Sequence, residues 1–304
     1  MDLLAALRAF VRVAEAGSFS AVAREMGATQ PAVSRQVAAL EEHLGARLFQ
    51  RTTRSLAPTE DGRDLLGHAR RVLAAVEEAE GAVGRRRAVP GGLVRLAAPA
   101  SFGRLHVAPK VRRLLESYPD LQVELHMSDA VSNLVADGID LALRGGAVTE
   151  ASLIARRIGS SARHVVASAE YLARNGEPRH PSELSRHACV VFLNNAAPNE
   201  WRFEGPDESV AVPITGRFRT DSSEAVREAV LSGLGFALSP AWVFADELAR
   251  GEVRAVLEEF RAPRVSIHAV YPSRRNLAAR TRAVLDFFVD EFRLDPAISP
   301  YGEG

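Results

Sequence analysis

Hydrophobic residues follow two different patterns along the chain, and the pattern changes near residue 90. From residue 1 to about residue 88, apolar positions recur every three or four residues, which is typical of amphipathic helices. Beyond residue 92, short apolar runs of the kind found in buried strands alternate with helical stretches. Pro90, Gly91 and Gly92 interrupt any helix at this boundary. The chain is therefore predicted to have an all-helical first part and a mixed second part.

Three short helices are predicted at the amino terminus. Gly17, Gly27 and Gly45 end them, while Ser18 and Thr29 are placed to cap the second and the third. Only about three residues separate the second helix from the third, which is the spacing of a helix-turn-helix. The positions predicted to face inward are Leu3, Leu7, Phe10, Ala14, Phe19, Val22, Met26, Val33, Val37, Leu40 and Leu44.

The third predicted helix carries polar side chains in its first two turns, namely Gln30, Ser34, Arg35 and Gln36. In a helix-turn-helix, the first residues of the second helix contact base edges in the major groove. Arginine pairs with guanine, glutamine with adenine, and serine with a phosphate or a base. We therefore expect Arg35, with Gln30 and Ser34, to contact DNA, whereas the polar face of any exposed helix also explains Gln36.

Residues 48–56 alternate around a polar tip, which predicts a small two-stranded wing. Arg51 and Arg54 bracket two threonine hydroxyls, a combination suited to phosphate oxygens or to a minor groove. An ordinary solvated turn has the same composition. The interpretation as a DNA contact therefore depends on the helix-turn-helix that precedes the wing.

One long helix of about seven turns is predicted from Thr59. Its apolar positions form a narrow stripe and its other faces are charged, so the isolated helix would expose the stripe to water. A second copy of the same helix in a homodimer is the expected partner. Packing on the second part of the same chain is the alternative. The stripe consists of Leu66, Ala69, Val72 or Leu73, Val76, Ala79 and Val83.

The second part of the chain predicts an α/β domain. Strands at 93–99, 121–127 and 139–145 alternate with helices near 103–117 and 131–136, an order that implies a parallel sheet with right-handed crossovers. If the last strand returns to this first lobe, the chain crosses twice between two lobes and forms a hinge and a cleft. The later predicted elements are strands at 165–168, 189–193, 201–203, 210–214, 236–238 and 265–271, and helices from 222 and over 277–292.

Composition adds limits to this picture. A chain of 304 residues suits two domains, and its 38 basic and 38 acidic residues balance. Lys110 is the only lysine. Arginine binds phosphates with a fixed fork geometry, although a GC-rich genome explains the bias equally well. No apolar run approaches the ~18–20 residues of a membrane helix, and the first residues lack a secretory signal, so we expect a cytoplasmic protein with no membrane partner.

Several motifs support a more specific assignment. The first part contains GSFSAVA at 17–23, PAVSRQVAALE at 31–41, LGARLF at 44–49 and RTTR at 51–54; the second contains DGIDLALR at 137–144, ASAEYL at 167–172 and GLGFALSP at 233–240. These segments closely resemble LysR-type transcriptional regulators. Pro58, Asp61 and Ala169 depart from the usual family pattern, but Thr59 and Gly62 keep it, so we expect the long helix to start normally.

The resemblance implies a winged helix-turn-helix, which is all-α with a small β wing, plus an α/β effector domain. That effector domain has two Rossmann-like lobes, like a periplasmic binding protein. The expected DNA-binding domain covers 1–58 and the linker or dimerisation helix 59–89. The expected effector domain covers 90–304, with lobe I at about 90–162 and 267–304 and lobe II at about 163–266.

The resemblance also implies partners. Members of the family assemble as homodimers or homotetramers, bind double-stranded promoter or operator DNA, and respond to a small-molecule effector; RNA polymerase is a further candidate partner. The residues expected to contact DNA are Ser18, Ser20, Thr29, Gln30, Pro31, Ser34, Arg35, Gln36, Arg51, Thr53 and Arg54.

Ligands of open parallel sheets lie beyond the carboxyl ends of the strands, which points to specific residues. Four of these, Ser101, Ser128, Arg144 and Asn194, could together hold a carboxylate, so a small organic acid is the expected effector. Helix capping or loop hydrogen bonding explains each single residue as well, and Asp221 fits a helix cap better than a ligand contact. The expected effector contacts are Ser101, Phe102, Ser128, Arg144, Gly145, Phe192, Asn194 and Asp221.

Enzyme motifs are not found in the sequence. There is no phosphate-binding loop, dinucleotide fingerprint or His-Glu-x-x-His zinc motif, and the eight histidines are scattered. Cys189 is the only cysteine and lies in an apolar run, as a buried structural thiol does. No catalytic residue, metal or cofactor is expected. Two other classes stay open, namely a small-molecule binding protein with no DNA role and an enzyme fused to a DNA-binding domain.

Overall fold

The computed structural model describes residues 1–51, 56–83, 90–131, 133–150, 152–272 and 277–298. The chain forms two compact units. The first unit contains residues 1–88, with 135–138 and 275–279, and the second contains the remaining residues. The predicted limits of the domains and lobes stay predictions.

The first unit begins with the three predicted helices, which are α1 (Leu3–Ala16), α2 (Phe19–Glu25) and α3 (Gln30–Leu44). Ser18 caps α2 as expected, because its hydroxyl accepts a hydrogen bond from the N–H of Ala21 at 3.2 Å. Thr29 occupies the corresponding position before α3, but its side chain makes no capping hydrogen bond, so that part of the prediction is wrong.

Three residues predicted to face inward are exposed instead, namely Leu3, Met26 and Leu44. Each stands at a helix end, where the helical periodicity no longer decides which way a side chain faces. The other predicted positions on these helices are buried or half-buried in one hydrophobic core. The predicted inward-facing positions are therefore confirmed in the helix interiors and wrong at the helix ends.

A two-stranded wing follows, with β1 (Phe49–Arg51) antiparallel to β2 (Leu56–Pro58). Phe49 fixes the wing on the helices, because its ring lies 5.5 Å from that of Phe10 and 5.8 Å from that of Phe19. The predicted polar tip, residues 52–55, lies outside the described residues.

The long helix α4 (Glu60–Val83) is also present, and Thr59 caps it: the hydroxyl accepts from the N–H of Gly62 at 3.0 Å. The first half of the predicted stripe belongs to the core of the first unit, where Ala69 is buried and Leu73 half-buried. Val72, the alternative to Leu73 in the prediction, is 44% exposed. In the first half of α4, the exposed apolar surface is therefore smaller than the sequence pattern predicts.

Lobe I of the second unit contains the predicted parallel sheet. In it, β3 (Gly92–Ala98) lies between β4 (Leu121–Met127) and β5 (Leu141–Gly145) and is parallel to both. A continuous helical segment follows β3, and it consists of α5 (Ala100–Phe102), a π-helical turn (Gly103–Val107) and α6 (Ala108–Ser117).

The helix predicted near 131–136 is wrong. The described residues there form a turn over 134–138, and the N–H of Ile139 donates to the carbonyl of Leu134 at 2.8 Å. Gly138 adopts a positive φ of 66°, which reverses the chain after this single turn. Val131, Leu134 and Val135 supply an apolar spacing of three and four residues that the sequence pattern could not distinguish from a helix.

Two long antiparallel strands connect the lobes, β6 (Leu153–Ser168) and β13 (Ala262–Pro272). β13 also pairs with β5 and so joins the sheet of lobe I. The second half of β6 instead pairs with β11 (Ala237–Pro240) and β12 (Val253–Val256) in lobe II. The chain therefore crosses between the lobes twice, as the order of the elements predicts.

The remaining elements complete lobe II and the carboxyl-terminal helix. The short strand β7 (Val190–Phe192) is parallel to β10 (Phe218–Thr220), and β8 (Glu200–Glu204) is antiparallel to β9 (Ser209–Pro213). The helices are α7 (Ala169–Asn175), α8 (Ser223–Leu231), α9 (Ala245–Arg250) and α10 (Ala279–Arg293). Among the described residues, no helix has the length and apolar character needed to cross a membrane.

A substitution at Gly62 tests how closely the first turn of α4 approaches the backbone of Leu48, just before the wing. A Cβ atom at this position would lie 2.2 Å from the backbone oxygen of Leu48, so we expect Gly62→Ala to destabilise the protein by about 1–3 kcal/mol through overpacking. Gly67→Ala is the matched control in the same helix, because its Cβ would have no neighbour closer than 3.5 Å outside that helix. Urea unfolding measures both, and equal stabilities of the two variants would contradict the close approach.

Candidate DNA interface and effector cleft

The third helix presents its polar residues away from the core of the first unit. Val33, Val37 and Leu40 on α3 are buried. Gln30 and Arg35, from the first two turns, are exposed. Pro31 is exposed, and Ser34 and Gln36 are half-buried. The amino-terminal part of α3 therefore offers an exposed amide and an exposed guanidinium at the positions where a recognition helix contacts base edges.

Arg35 makes no ion pair with any side chain in the described part of the chain. Acidic residues of the same unit are engaged elsewhere, since Glu15 pairs with Arg12 and Arg70. Glu25 hydrogen-bonds to Arg12, and this bond is the main reason that the pKa of Arg12 is raised. The charge of Arg35 is thus not neutralised by these neighbours, which leaves it available to a phosphate or a base.

The other residues predicted to contact DNA differ in exposure. Ser18 uses its hydroxyl to cap α2 and is half-buried, whereas Ser20 and Thr29 are exposed. The side chain of Arg51 and both Thr53 and Arg54 lie outside the described residues. The structure therefore brings the helical candidates together on one unit and leaves the wing tip as a prediction.

The wing itself is held by a residue that the sequence analysis did not select. The carboxylate of Glu41, on α3, accepts the N–H groups of Leu48 at 2.7 Å and of Phe49 at 3.2 Å. This contact fixes the start of the wing relative to the recognition helix. Its only sequence signal is an acidic residue eight positions before the first residue of β1, which is too general to identify it.

In the second unit, three of the predicted effector contacts line one small cavity between the lobes. The cavity measures about 40 Å³ and is almost entirely apolar. Its lining residues include Pro99, Phe102, Arg144, Gly145, Trp242 and Ile267. Ligand sites for drug-sized molecules usually measure ~300–1,000 Å³, so this cavity holds only a few atoms unless the lobes separate.

An aromatic cluster forms one wall of this cavity. The ring of Phe102 lies 5.1 Å from Trp242 and 5.4 Å from both His106 and Phe292. Phe102 is buried, so it packs between helices as well as facing the cavity. Trp242 belongs to lobe II, and the cluster therefore contributes apolar contact between the lobes.

Ser101 occupies the start of the helical segment after β3, as predicted, and is fully buried. Its N–H donates to the hydroxyl of Ser223, at the start of α8, at 3.2 Å. Its own hydroxyl has no hydrogen-bond partner of regular geometry among the described residues. Burial opposes ionisation of Glu224, on the first turn of α8, but the hydrogen bond and charge of Arg104, together with the nearby Ser101 hydroxyl, outweigh it and lower the pKa of Glu224. The Ser101 hydroxyl is thus close to α8.

The remaining predicted contacts are engaged with the protein itself. Arg144 is half-buried and pairs with Glu150 at 2.8 Å, and the Ser128 hydroxyl accepts from the N–H of Ala130 at 3.2 Å. Asn194 donates to the carbonyl of Asp221 at 3.0 Å. Phe192, at the end of β7, is half-buried.

The role of Asp221 as a helix cap is wrong. The side chain that caps α8 is that of Ser222, which accepts from the N–H of Ala225 at 3.3 Å. The cap is shifted by one residue because the backbone of Asp221 still belongs to the preceding loop, where its carbonyl receives the amide of Asn194. Whether Asp221 contacts an effector stays a prediction.

Metal and thiol chemistry have little support in these residues. No group of three or more histidine, cysteine, aspartate or glutamate side chains in the described ranges could hold a metal ion. Cys189 is 4% exposed, and burial raises the pKa of its thiol to about 12. A thiol that stays protonated at neutral pH is a poor nucleophile.

Comparison with known proteins identifies the family. Residues 87–293 match the family described as "LysR substrate binding domain", and residues 4–63 match "Bacterial regulatory helix-turn-helix protein, lysR family". The chain belongs to the LysR family. This result confirms the resemblance seen in the sequence motifs.

Individual relatives agree over nearly the whole chain. An HTH-type transcriptional regulator of Xanthomonas campestris pv. campestris is 36% identical over 94% of this chain and 84% of its own length. The HTH-type transcriptional regulator DmlR of Escherichia coli is 33% identical over 96% of this chain and 95% of its own length. The solved structure of CrgA, a LysR-type transcriptional regulator from Neisseria meningitidis, is 32% identical, has a TM-score of 0.62, and covers 94% of this chain and 97% of that chain.

Fold and family together define the class of the protein. It is a LysR-type DNA-binding transcriptional regulator with an amino-terminal helix-turn-helix domain and a two-lobed substrate-binding domain. The predicted fold class is confirmed, including the wing and the two α/β lobes.

Proposed function

We propose that this regulator reads an operator with the first two turns of α3 and responds to a small organic acid bound between its lobes. The observation that carries the first part is the exposed Arg35, which no acidic side chain in the described part of the chain neutralises. Gln30 stands beside it on the same exposed end of α3. Such a pair suits hydrogen bonding to guanine and adenine edges in the major groove.

The organic-acid effector is supported by the chemistry of the cleft. The lining of the cavity is almost entirely apolar, and Arg144 is the one charged residue among the described residues that line it. A ligand with an apolar body and a carboxylate fits such a lining, because the body buries apolar surface and the carboxylate pairs with a cation or with N–H groups.

A symmetric oligomer is the proposed assembly. Val72 is an exposed apolar residue on the long helix α4, and Ala75 and Val76 follow it at helical spacing. A second copy of α4 would cover it and would place two recognition helices on a two-fold related operator. Contact with RNA polymerase and location in the cytoplasm, where promoter DNA is found, belong to the same proposal.

The other two classes receive less support. A binding protein without a DNA role does not explain the helix-turn-helix match over residues 4–63. An enzyme fused to a DNA-binding domain would need a catalytic group, and the family consists of transcriptional regulators. We therefore propose that the chain has no catalytic activity of its own.

The variant Arg35→Ala tests whether Arg35 contacts a base of the operator. If Arg35 contacts a base, the variant should lose about 1–3 kcal/mol of specific operator binding while its binding to random DNA changes less. Gel shift with operator and random duplexes at one fixed salt concentration measures the ratio. Arg112→Ala is the matched control, because Arg112 is an exposed arginine of the second unit. A variant that keeps the wild-type ratio would reject the role of Arg35.

A double substitution on α4 tests the assembly. Val72→Glu with Val76→Glu should shift the protein from a dimer or larger assembly to monomer, because two carboxylates per chain would enter the proposed contact. Sedimentation velocity measures the change. Leu294→Glu is the control, since Leu294 is 79% exposed and lies far along the chain from α4. If the double variant sediments like the wild type, α4 does not form the contact between copies.

A further inference from the structure

The carboxylate of Asp129 joins the first turns of two helices from different lobes. Asp129 follows β4 in lobe I and accepts the N–H of Ala100, at the start of the helical segment 100–117, at 3.1 Å. It also accepts the N–H of Ser223 at 2.7 Å and the Ser223 hydroxyl at 2.8 Å, at the start of α8 in lobe II. Helix amino termini carry partial positive charge and exposed N–H groups, so both favour an anion here.

Other contacts bring the same two helix starts together. Asn194, in lobe II, donates its side-chain amide to the backbone carbonyl of Asp129 at 3.0 Å. Arg104, one turn further along the helical segment after β3, pairs with Glu224 in the first turn of α8 at 3.0 Å. The hydroxyl of Ser223 both donates to Asp129 and accepts the N–H of Ser101. The carboxylate of Asp129 is therefore the centre of a small polar network between the lobes.

A second observation at this junction points to a ligand. The Ser101 hydroxyl is fully buried, lies close to α8 and has no hydrogen-bond partner of regular geometry among the described residues. The Glu224 carboxylate lies near this hydroxyl, but the two form no hydrogen bond of regular geometry. A buried hydroxyl whose hydrogen bond is poorly formed costs free energy, which a ligand oxygen would recover. The adjacent cavity of about 40 Å³ is too small for an organic acid in this arrangement. The junction therefore has polar groups for an anion, while the small cavity at Phe102 does not admit an organic acid in this arrangement of the lobes.

We propose that Asp129 is an internal ligand of the cleft, which holds the lobes together, and that a carboxylate effector binds by displacing it. The proposal rests on the function proposed above, because it takes the cleft as the effector site. Displacement frees the N–H groups of Ala100 and Ser223 and the Ser223 hydroxyl for the incoming carboxylate. It also gives the Ser101 hydroxyl access to a partner, while the apolar wall at Trp242 receives the body of the acid.

Competition by a tethered carboxylate lowers the apparent affinity of the effector. A ligand that binds only the form with Asp129 displaced is weakened by the fraction of molecules in that form. If about one molecule in ten has the contact open, removal of the Asp129 carboxylate tightens carboxylate binding roughly tenfold. The test therefore compares a small carboxylate with its neutral isostere, on protein with and without the internal carboxylate.

The experiment is chemical rescue of full-length Asp129→Ala by acetate. The variant should melt about 2–6 °C below the wild type in chloride, since it loses the shared helix cap. Acetate at the same ionic strength should raise the melting temperature of the variant toward that of the wild type and leave the wild type unchanged. Acetamide, which has the same shape without the charge, should leave both unchanged.

Asp120→Ala is the matched control, because Asp120 is an exposed acidic residue of the same lobe whose side chain lies outside this network. Equal acetate effects on the wild type and on both variants would overturn the proposal, as would a folded Asp129→Ala on which acetate has no effect. If Asp129→Ala does not fold, Asp129→Asn keeps the size of the side chain. Acetate must then stabilise the asparagine variant more than the wild type, and no difference would overturn the proposal.

Gel shift on the same samples separates this proposal from the proposed function. Wild-type protein that binds no operator overturns the proposed function, whatever acetate does to Asp129→Ala. Wild-type protein that binds operator, combined with an Asp129→Ala variant that acetate does not stabilise, overturns the role of Asp129 alone.

Discussion

The pairing of β6 with β13 is the constraint on which the arrangement of the second unit depends. Both strands run from one lobe into the other, so any change of the angle between the lobes has to bend this pair. Its register shifts between Ala262 and Val265 and again between Ile267 and His268. Such irregularities bend and twist a strand locally, which places the flexible points of the pair within the strands themselves. The contacts across the cleft then decide which angle is stable.

Polar contacts across the cleft are concentrated at the starts of helices. Asp129 bonds to the first turn of α8, and Arg104 pairs with Glu224 in the same turn. These groups are polar and partly exposed, so water and a ligand can replace them at low cost. The apolar contact of Phe102 with Trp242 favours the same closed arrangement. The hinge consists of continuous strands, and the lobes are held closed by hydrogen bonds that water or a ligand can replace. Both features suit a domain that changes the angle between its lobes when it binds a ligand.

Much of this fold could be predicted from the sequence, because local signals determine it. Gly17 and Gly45 end their helices with φ values of 60° and 65°, the conformation that glycine permits at a helix end. The parallel order of β4, β3 and β5 follows from alternating strands and helices. The failures have local causes too. Val131, Leu134 and Val135 have helical spacing, but a single turn forms over 134–138. Residues 154–157 at the start of β6 are exposed and include Arg156 and Arg157, without the apolar run that marks a strand.

The candidate site could be predicted only in part. Strand ends pointed to Ser101 and Arg144, and Ser101 and Arg144 do lie at the junction of the lobes. The bond between Asp129 and Ser223 joins residues 94 positions apart, and no spacing along the sequence indicates it. Nor does the sequence show that Arg144 already pairs with Glu150, since that depends on how the loop after β5 folds back. Residue types were therefore predictable, while their partners required the structure.

The distance between the lobes tests the role of Asp129 most directly. Spin labels on cysteines introduced at Arg112 in lobe I and Arg202 in lobe II would report it by double electron–electron resonance, because both side chains are exposed and the native Cys189 is buried. Labelled chains diluted with unlabelled ones keep the measured distance within one chain. We expect one narrow distribution for the wild type, a shifted or broader one for Asp129→Ala, and the return of the narrow distribution with acetate. Identical distributions in all three samples would show that Asp129 does not hold the lobes together.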